Sequence, residues 1–185
     1  MADPLRALRL DAREILRQPG IQRAVDAAFE PGDLDVLHDQ VAGPIEVDLV
    51  AESGDAAIDV TGVVRVPWAG SCRRCLKELA GVSTSDVDER YRPTLVDARV
   101  PGAPPEVALG GQDDEAYPID DGRLDLVPMT RETVLLDLDA ERLCRPDCAG
   151  LCPVCGIDLN AGSCECDTTV RDHRWAALDG LVLDD

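Results

Sequence analysis

The chain reads as a β-rich α+β protein: an antiparallel sheet or small barrel with one or two helices, followed by a cysteine-rich C-terminal segment. Three observations predict this. Two period-2 apolar runs flank a glycine turn, one capped apolar stretch has helical length, and the cysteines fall in close pairs, most of them near the C-terminus. At 185 residues the chain is long enough for one domain with an appendage and for a core of its own. Aromatic residues make up only 3%, so Val, Leu, Ile and Ala must build that core.

In chain order, the first segment carries Arg6, Arg9, Arg13 and Arg17. That spacing places a basic stripe on one face of a helix, read as a solvated face beside Leu5, Leu8 and Leu16. The alternation of Leu8 and Leu10 with Arg9 and Asp11 also suits a short strand before a helix, and Pro19-Gly20 ends whatever forms. Ile45, Val47 and Leu49 alternate with Glu46 and Asp48; Ser53-Gly54-Asp55 is a turn; Ile58, Val60, Gly62, Val64 and Val66 continue the period. This is a hairpin with one buried face. A third strand is expected near Val82 to Tyr91. From Asp97 to Ala116 the chain is acidic and rich in Pro and Gly, which reads as a loop. Asp125 caps a helix expected over Leu126 to Leu138, with Pro128 in its first turn, where a missing N–H costs little. Val127, Val134 and Leu138 share its buried side. Arg174 to Leu178 reads as a short packing helix. The expected division is a β-rich domain over 1–143, with the acidic loop near 97–117, and a cysteine-rich tail over 144–185 packed back on it.

No stretch of about 18 apolar residues crosses a membrane, and the N-terminus lacks a basic region followed by an apolar run, so a cytoplasmic location is expected. In reducing cytosol, eight cysteines are read as metal ligands rather than disulfides. Cys72 and Cys75, Cys144 and Cys148, Cys152 and Cys155, and Cys164 and Cys166 form four close pairs, enough for two closed four-sulfur sites. Cys152-Pro153-Val154-Cys155-Gly156 is a zinc-knuckle sequence: its turn aims backbone N–H groups at the first sulfur, and Gly156 supplies positive φ after the second. With Cys164 and Cys166 across a short polar loop, these four are assigned to one site. Cys72, Cys75, Cys144 and Cys148 follow by elimination, although exchange of Cys144 and Cys148 into the knuckle site stays open. Two structural zinc ions are therefore expected. A disulfide framework, an iron–sulfur cluster and a redox-active C-x-x-C are weaker readings, and a catalytic zinc is weaker still, because it keeps an open position. His38 is read as a surface residue and His173 as a non-ligand. Arg73, Arg74, Lys77 and Arg145 crowd the sulfurs, where cations offset thiolate charge; a small basic patch for RNA or an acidic partner is the alternative.

The formal charge is −19, which repels polyphosphate at long range and favours basic partners. No paired constellation for hydrolase or nuclease chemistry is evident and no small-molecule substrate is implied, so a non-enzymatic role is expected.

Gly70-Ser71-Cys72-Arg73-Arg74-Cys75-Leu76 resembles the first signature of the YceD-like family, the large ribosomal RNA subunit accumulation proteins. The run from Leu143 to Gly156, continued by Asp158-Leu159-Asn160, resembles the second. Asp172-His173-Arg174-Trp175-Ala176-Ala177-Leu178 is similar to the family's closing segment, with His where Pro is usual, and Arg17 to Gly20 also fits. The resemblance implies support of 23S ribosomal RNA accumulation in large-subunit assembly, with a basic ribosomal protein or a precursor of the large subunit as partner. Direct RNA contact is expected to be weak. The expected mechanism is an acidic body that holds a basic protein, with Asp113, Asp114, Glu115, Asp120 and Asp121 as contacts. A zinc- and thiol-based redox sensor and a zinc-ribbon RNA-binding protein are the alternatives.

Overall fold

A computed structural model describes residues 3–93, 116–138, 142–167 and Arg174. The expected acidic loop, Asp113, Asp114 and Glu115 within it, His173 and all but the first residue of the expected last helix lie outside the described residues. The chain divides into two compact units: Met1–Gly70 with Ala80–Ala140, and Ser71–Leu79 with Glu141–Asp185. Residues 71–79, the ends of two strands and the turn that joins them, thus group with the cysteine-rich tail.

The first unit is organised by alternation. Strand β3 (Ile45–Ser53) buries every second residue, and its register with β4 (Ile58–Ser71) sets Val47 opposite Val64 and Ala51 opposite Val60. Inward-facing positions therefore share one face and polar ones the other. Gly62 lies opposite Leu49 with φ near 144°, and a Cβ there would fall 2.1 Å from the Asp48 carbonyl oxygen. Only glycine permits this approach of two strands. Strand β2 (Gln22–Phe29) pairs antiparallel with β3, and β5 (Glu78–Pro93) lies between β4 and β6 (Tyr117–Ile119). The β5–β6 pairing is parallel, so the five-stranded sheet, order β2-β3-β4-β5-β6, is mixed at one edge.

The N-terminal segment is not one helix. Pro4–Leu8 is a 3₁₀ turn, Arg9–Asp11 is strand β1, and Ala12–Ile15 is the single-turn helix α1. Strand β1 pairs antiparallel with β7 (Arg123–Asp125). Carboxylates punctuate these elements: Asp3 accepts from the Leu5 N–H and Asp11 from the Arg13 N–H. Helix α2 (Val127–Leu138) starts where Asp125 Oδ1 accepts from the Val127 N–H at 3.0 Å. It buries Met129, Thr130, Val134 and Leu138, while Val127 is half-buried at its edge. The Thr130 hydroxyl, which burial would leave costly, donates to the Leu126 carbonyl. One apolar cluster joins both sheets and α2, with Leu8, Phe29, Leu49, Val64, Tyr91 and Leu124 among its members.

The second unit is built differently. Among its described residues, the only buried side chains in the apolar class are three cysteines, Cys72, Cys148 and Cys152. Its order rests on tight turns and on what the sulfurs do.

Candidate metal centre

Two chain segments of the second unit fold into nearly the same turn. In the first, the Cys72 N–H donates to the Lys77 carbonyl at 2.8 Å and the Leu76 N–H to the Cys72 carbonyl at 2.9 Å. In the second, the Cys152 N–H donates to the Ile157 carbonyl and the Gly156 N–H to the Cys152 carbonyl, both at 2.9 Å. Each turn needs a left-handed residue after its second cysteine. Gly156 takes it freely at φ 74°, whereas Leu76 takes it at φ 62° with a side chain that is 63% exposed.

The turns gather their sulfurs into two quartets. Cys72, Cys75, Cys144 and Cys148 form one, and Cys152, Cys155, Cys164 and Cys166 the other; within each, all sulfurs lie within 4.8 Å of one another. In the first quartet Cys72 and Cys148 are 3.8 Å apart and Cys75 and Cys144 3.6 Å. A tetrahedron with metal–sulfur bonds of about 2.3 Å has edges of about 3.8 Å, while a disulfide needs about 2.05 Å. The eight thiols are free, and the spacing fits four ligands around one tetrahedral ion. Closed sulfur-only coordination leaves no position for a substrate or a reactive water.

The electrostatics of the quartets repeat as well. The thiol of Cys72 is lowered to about 6, first by the backbone N–H of Cys75. That of Cys152 is lowered to about 6 by the N–H groups of Cys155 and Val154. In the opposite sense, Cys144 is raised to about 12, chiefly by the Cys148 sulfur, and Cys166 to about 12, chiefly by the Cys155 sulfur. One sulfur in each group is thus prepared as thiolate while another resists ionisation beside its neighbours. A divalent cation at the centre would remove that conflict.

Two of the cations expected to crowd the sulfurs, Arg74 and Arg145, have other partners. Arg74 Nη1 donates to the Cys148 carbonyl at 2.8 Å, and Arg145 pairs with Asp147 at 3.3 Å and donates to Asn160 at 2.7 Å. A side chain that does reach a sulfur is that of Asn160. Its Nδ2 donates to Cys148 Sγ at 3.4 Å, and its Oδ1 accepts from the Ala149 N–H at 2.8 Å. Asp158 holds it from both backbone and side chain, at 2.9 and 2.7 Å. Burial opposes ionisation of Cys148, but the Asn160 amide and the Gly150 N–H outweigh it and lower this thiol. The signal in the sequence is Asp158-x-Asn160, a pattern for a carboxylate-closed turn. The segments are also stitched by backbone: the Leu151 N–H donates to the Arg74 carbonyl at 3.0 Å and the Arg73 N–H to the Arg142 carbonyl at 3.1 Å.

His38 belongs to neither quartet. It is half-buried in the loop after β2, where its Nδ1 accepts from the Gln40 N–H at 3.2 Å. Asp120 and Asp121 form the β6–β7 turn, and Asp121 lines a cleft with four arginines, so this turn is not a purely acidic surface. Among the described residues no helix is long and apolar enough to cross a membrane.

The chain is 31% identical to an uncharacterized protein of Mycobacterium tuberculosis over 163 residues, covering 80% of this chain and 74% of that one. It is 28% identical to an uncharacterized protein of Mycobacterium leprae over 95% of this chain and 77% of the relative. A maize protein described as large ribosomal RNA subunit accumulation protein YCED homolog 1, chloroplastic, is 28% identical over 78% of this chain and 56% of its own length. No solved structure matches at a significant level. The model of the large ribosomal RNA subunit accumulation protein YceD matches residues 60–182, a span that takes in both quartets, and the chain belongs to that family.

Proposed function

We propose that this protein is a non-enzymatic cytoplasmic assembly factor that supports accumulation of the large-subunit ribosomal RNA, with each sulfur quartet holding one structural zinc ion. The assembly reading rests on family membership. The zinc reading rests on the second unit itself: among its described residues only cysteines supply buried apolar side chains, and a small unit built so needs a metal or disulfides. Thiolate ligands select zinc or iron–sulfur chemistry, and four sulfurs all within 4.8 Å of one another suit a single tetrahedral ion such as zinc. Burial of Cys72, Cys148 and Cys152 gives the redox-sensor reading less support at those thiols, because sensor thiols must be reached, while Cys155 is exposed.

The finer mechanism is that the acidic body holds a basic ribosomal protein until it is placed. The outward face of the sheet supports this. On it Asp26 stands directly opposite Asp48, with Glu46 and Glu52 on the same face of β3 and Arg65 of β4 opposite Glu46. Like charges directly opposite each other on paired strands cost stability, and a cationic partner would offset them.

Affinity purification of tagged protein from growing cells, with and without nuclease, tests the reading. One basic ribosomal protein is expected to stay stoichiometric after nuclease, and to dissociate as salt rises. Loss of every companion on nuclease treatment would defeat the holding mechanism. Normal 23S ribosomal RNA in cells lacking the protein would defeat the assembly role.

A further inference from the structure

Within a chain of −19 formal charge, one cleft gathers four arginines among three aspartates. The 3₁₀ turn, β1, α1 and the β6–β7 turn enclose a cleft of about 470 Å³, onto which Arg6, Arg9, Arg13 and Arg123 converge with Asp3, Asp11 and Asp121. The stripe expected on one helix is therefore folded into a concave site: three of its arginines line the cleft, Arg17 does not, and Arg123 joins from β7.

The charges in this cleft are unequally committed. Asp3 caps the 3₁₀ turn and also accepts from Arg9 Nη1 at 2.7 Å, while Arg9 Nε lies 3.6 Å from Asp125. Asp11 caps α1. Arg13 Nη2 donates to the Asp121 carbonyl at 2.8 Å, and its guanidinium fills the space beside Gly122, where a Cβ would come within 2.2 Å of Nε. Gly122 has φ 68°, so the turn keeps Arg13 in place both by its bond and by lacking a side chain. Among the described residues, no carboxylate pairs with the guanidinium of Arg6 or Arg123. Two fixed arginines thus form the floor and two uncommitted ones the donors.

We infer that this cleft binds the phosphodiester backbone of RNA. The inference deepens the assembly reading and rests on it, since guanidinium forks match phosphate and carboxylate alike. The lining carries no aromatic ring and a single apolar side chain, Leu10. Base stacking has no platform here, and the contact reads phosphates without regard to sequence. A local contact of this kind coexists with the overall negative charge, because at physiological salt charges beyond about 8 Å are largely screened.

The test uses the full chain and short fluorescein-labelled oligouridylate and oligoadenylate, followed by anisotropy. Wild type is expected to bind both equally, with log K falling against log salt at a slope of about −1.4, as for two phosphates at about −0.7 each. The double variant Arg6→Gln/Arg123→Gln should bind roughly tenfold more weakly, and Arg17→Gln as wild type does. Metal content and far-UV circular dichroism check the fold of each variant. If the double variant misfolds, Arg6→Lys and Arg123→Lys take its place; they keep the charge but lose the fork, and should weaken binding with the salt slope unchanged. Equal binding by the double variant would overturn the inference, as would no binding by wild type. Equal or tighter binding of polyglutamate would assign the cleft to an acidic protein segment instead, and saturation by inorganic phosphate without RNA binding would make it a small-anion site. The two readings fail separately. A protein whose loss leaves 23S RNA normal, but whose cleft binds both oligomers, loses the assembly role alone; a double variant that binds RNA as wild type does loses the cleft alone.

Discussion

Asn160 shows how one neutral side chain sets the chemistry of a sulfur site. Its amide donates to Cys148 Sγ, and its oxygen ties down Ala149 and Arg145 beside that cysteine. In Asn160→Ala the donor is lost, so the Cys148 thiol rises from its lowered position. Metal requires thiolate, so protons then compete better, and release of metal from the first quartet should move to higher pH. Removing an outer partner of a ligand costs about 10–100-fold in metal affinity, and the loss should fall on the first quartet while the second keeps its ion. Chelator competition with metal counted per chain measures this. An equal loss at both sites would mean that Asn160 supports the fold of the whole unit rather than one sulfur.

At the scale of elements, what was legible depended on the strength of the periodic signal. Strands β3 and β4 were readable because Ile45 to Ser53 and Ile58 to Val66 alternate without interruption around a glycine turn. Helix α2 was readable from Asp125 and its length. Strand β2 was not, because Gln22–Phe29 holds three alanines, which favour strands weakly, and buries only Val25 and Phe29, a spacing of four that suits either period. Strands β6 and β7 span three residues each and exist through pairing with distant partners, which no local pattern reports. The cysteine spacing favoured the grouping that the structure has, with exchange of Cys144 and Cys148 left open, because two ligands from one tight turn leave few ways to complete a tetrahedron. The arginine cleft could not be read, since Arg123 reaches it only through the β1–β7 pairing. One element-level consequence is open to measurement. Relieving the opposition across β2 and β3 with Asp26→Asn should raise stability by ~0.5 kcal/mol or less at low salt, an effect that fades as salt rises. The same change should weaken retention of the basic partner. Urea midpoints and co-purification give the two readouts, and a variant that holds its partner as tightly as wild type would remove this face from the holding mechanism.

At the scale of the molecule, the two units are stabilised by different physics. The first has a continuous apolar cluster drawn from both sheets and α2, and burial of that kind does not depend on any ion. The second buries cysteines where a core would be, and its knuckles close through a few backbone bonds at Cys72, Leu76, Cys152 and Gly156. Without a central cation, each quartet holds sulfurs of opposed tendency: Cys72 and Cys152 are lowered towards thiolate, while Cys144 and Cys166 are raised to about 12 by adjacent sulfurs. Stripping the metal should therefore unfold the second unit and leave the first folded. Hydrogen exchange reads this residue by residue. After chelation under reducing conditions, the amides of Cys72, Leu76, Cys152 and Gly156 should lose protection, while those of β3 and its partners on β2 and β4 keep theirs. The urea transition of the sheet should stay in place, and two zinc ions per chain should restore the knuckle amides. Retained protection of the knuckles in metal-free, reduced protein would show that the turns hold without an ion and would defeat the structural-metal reading. Loss of protection across β3 as well would show that the apolar cluster cannot sustain the first unit without the metal centres.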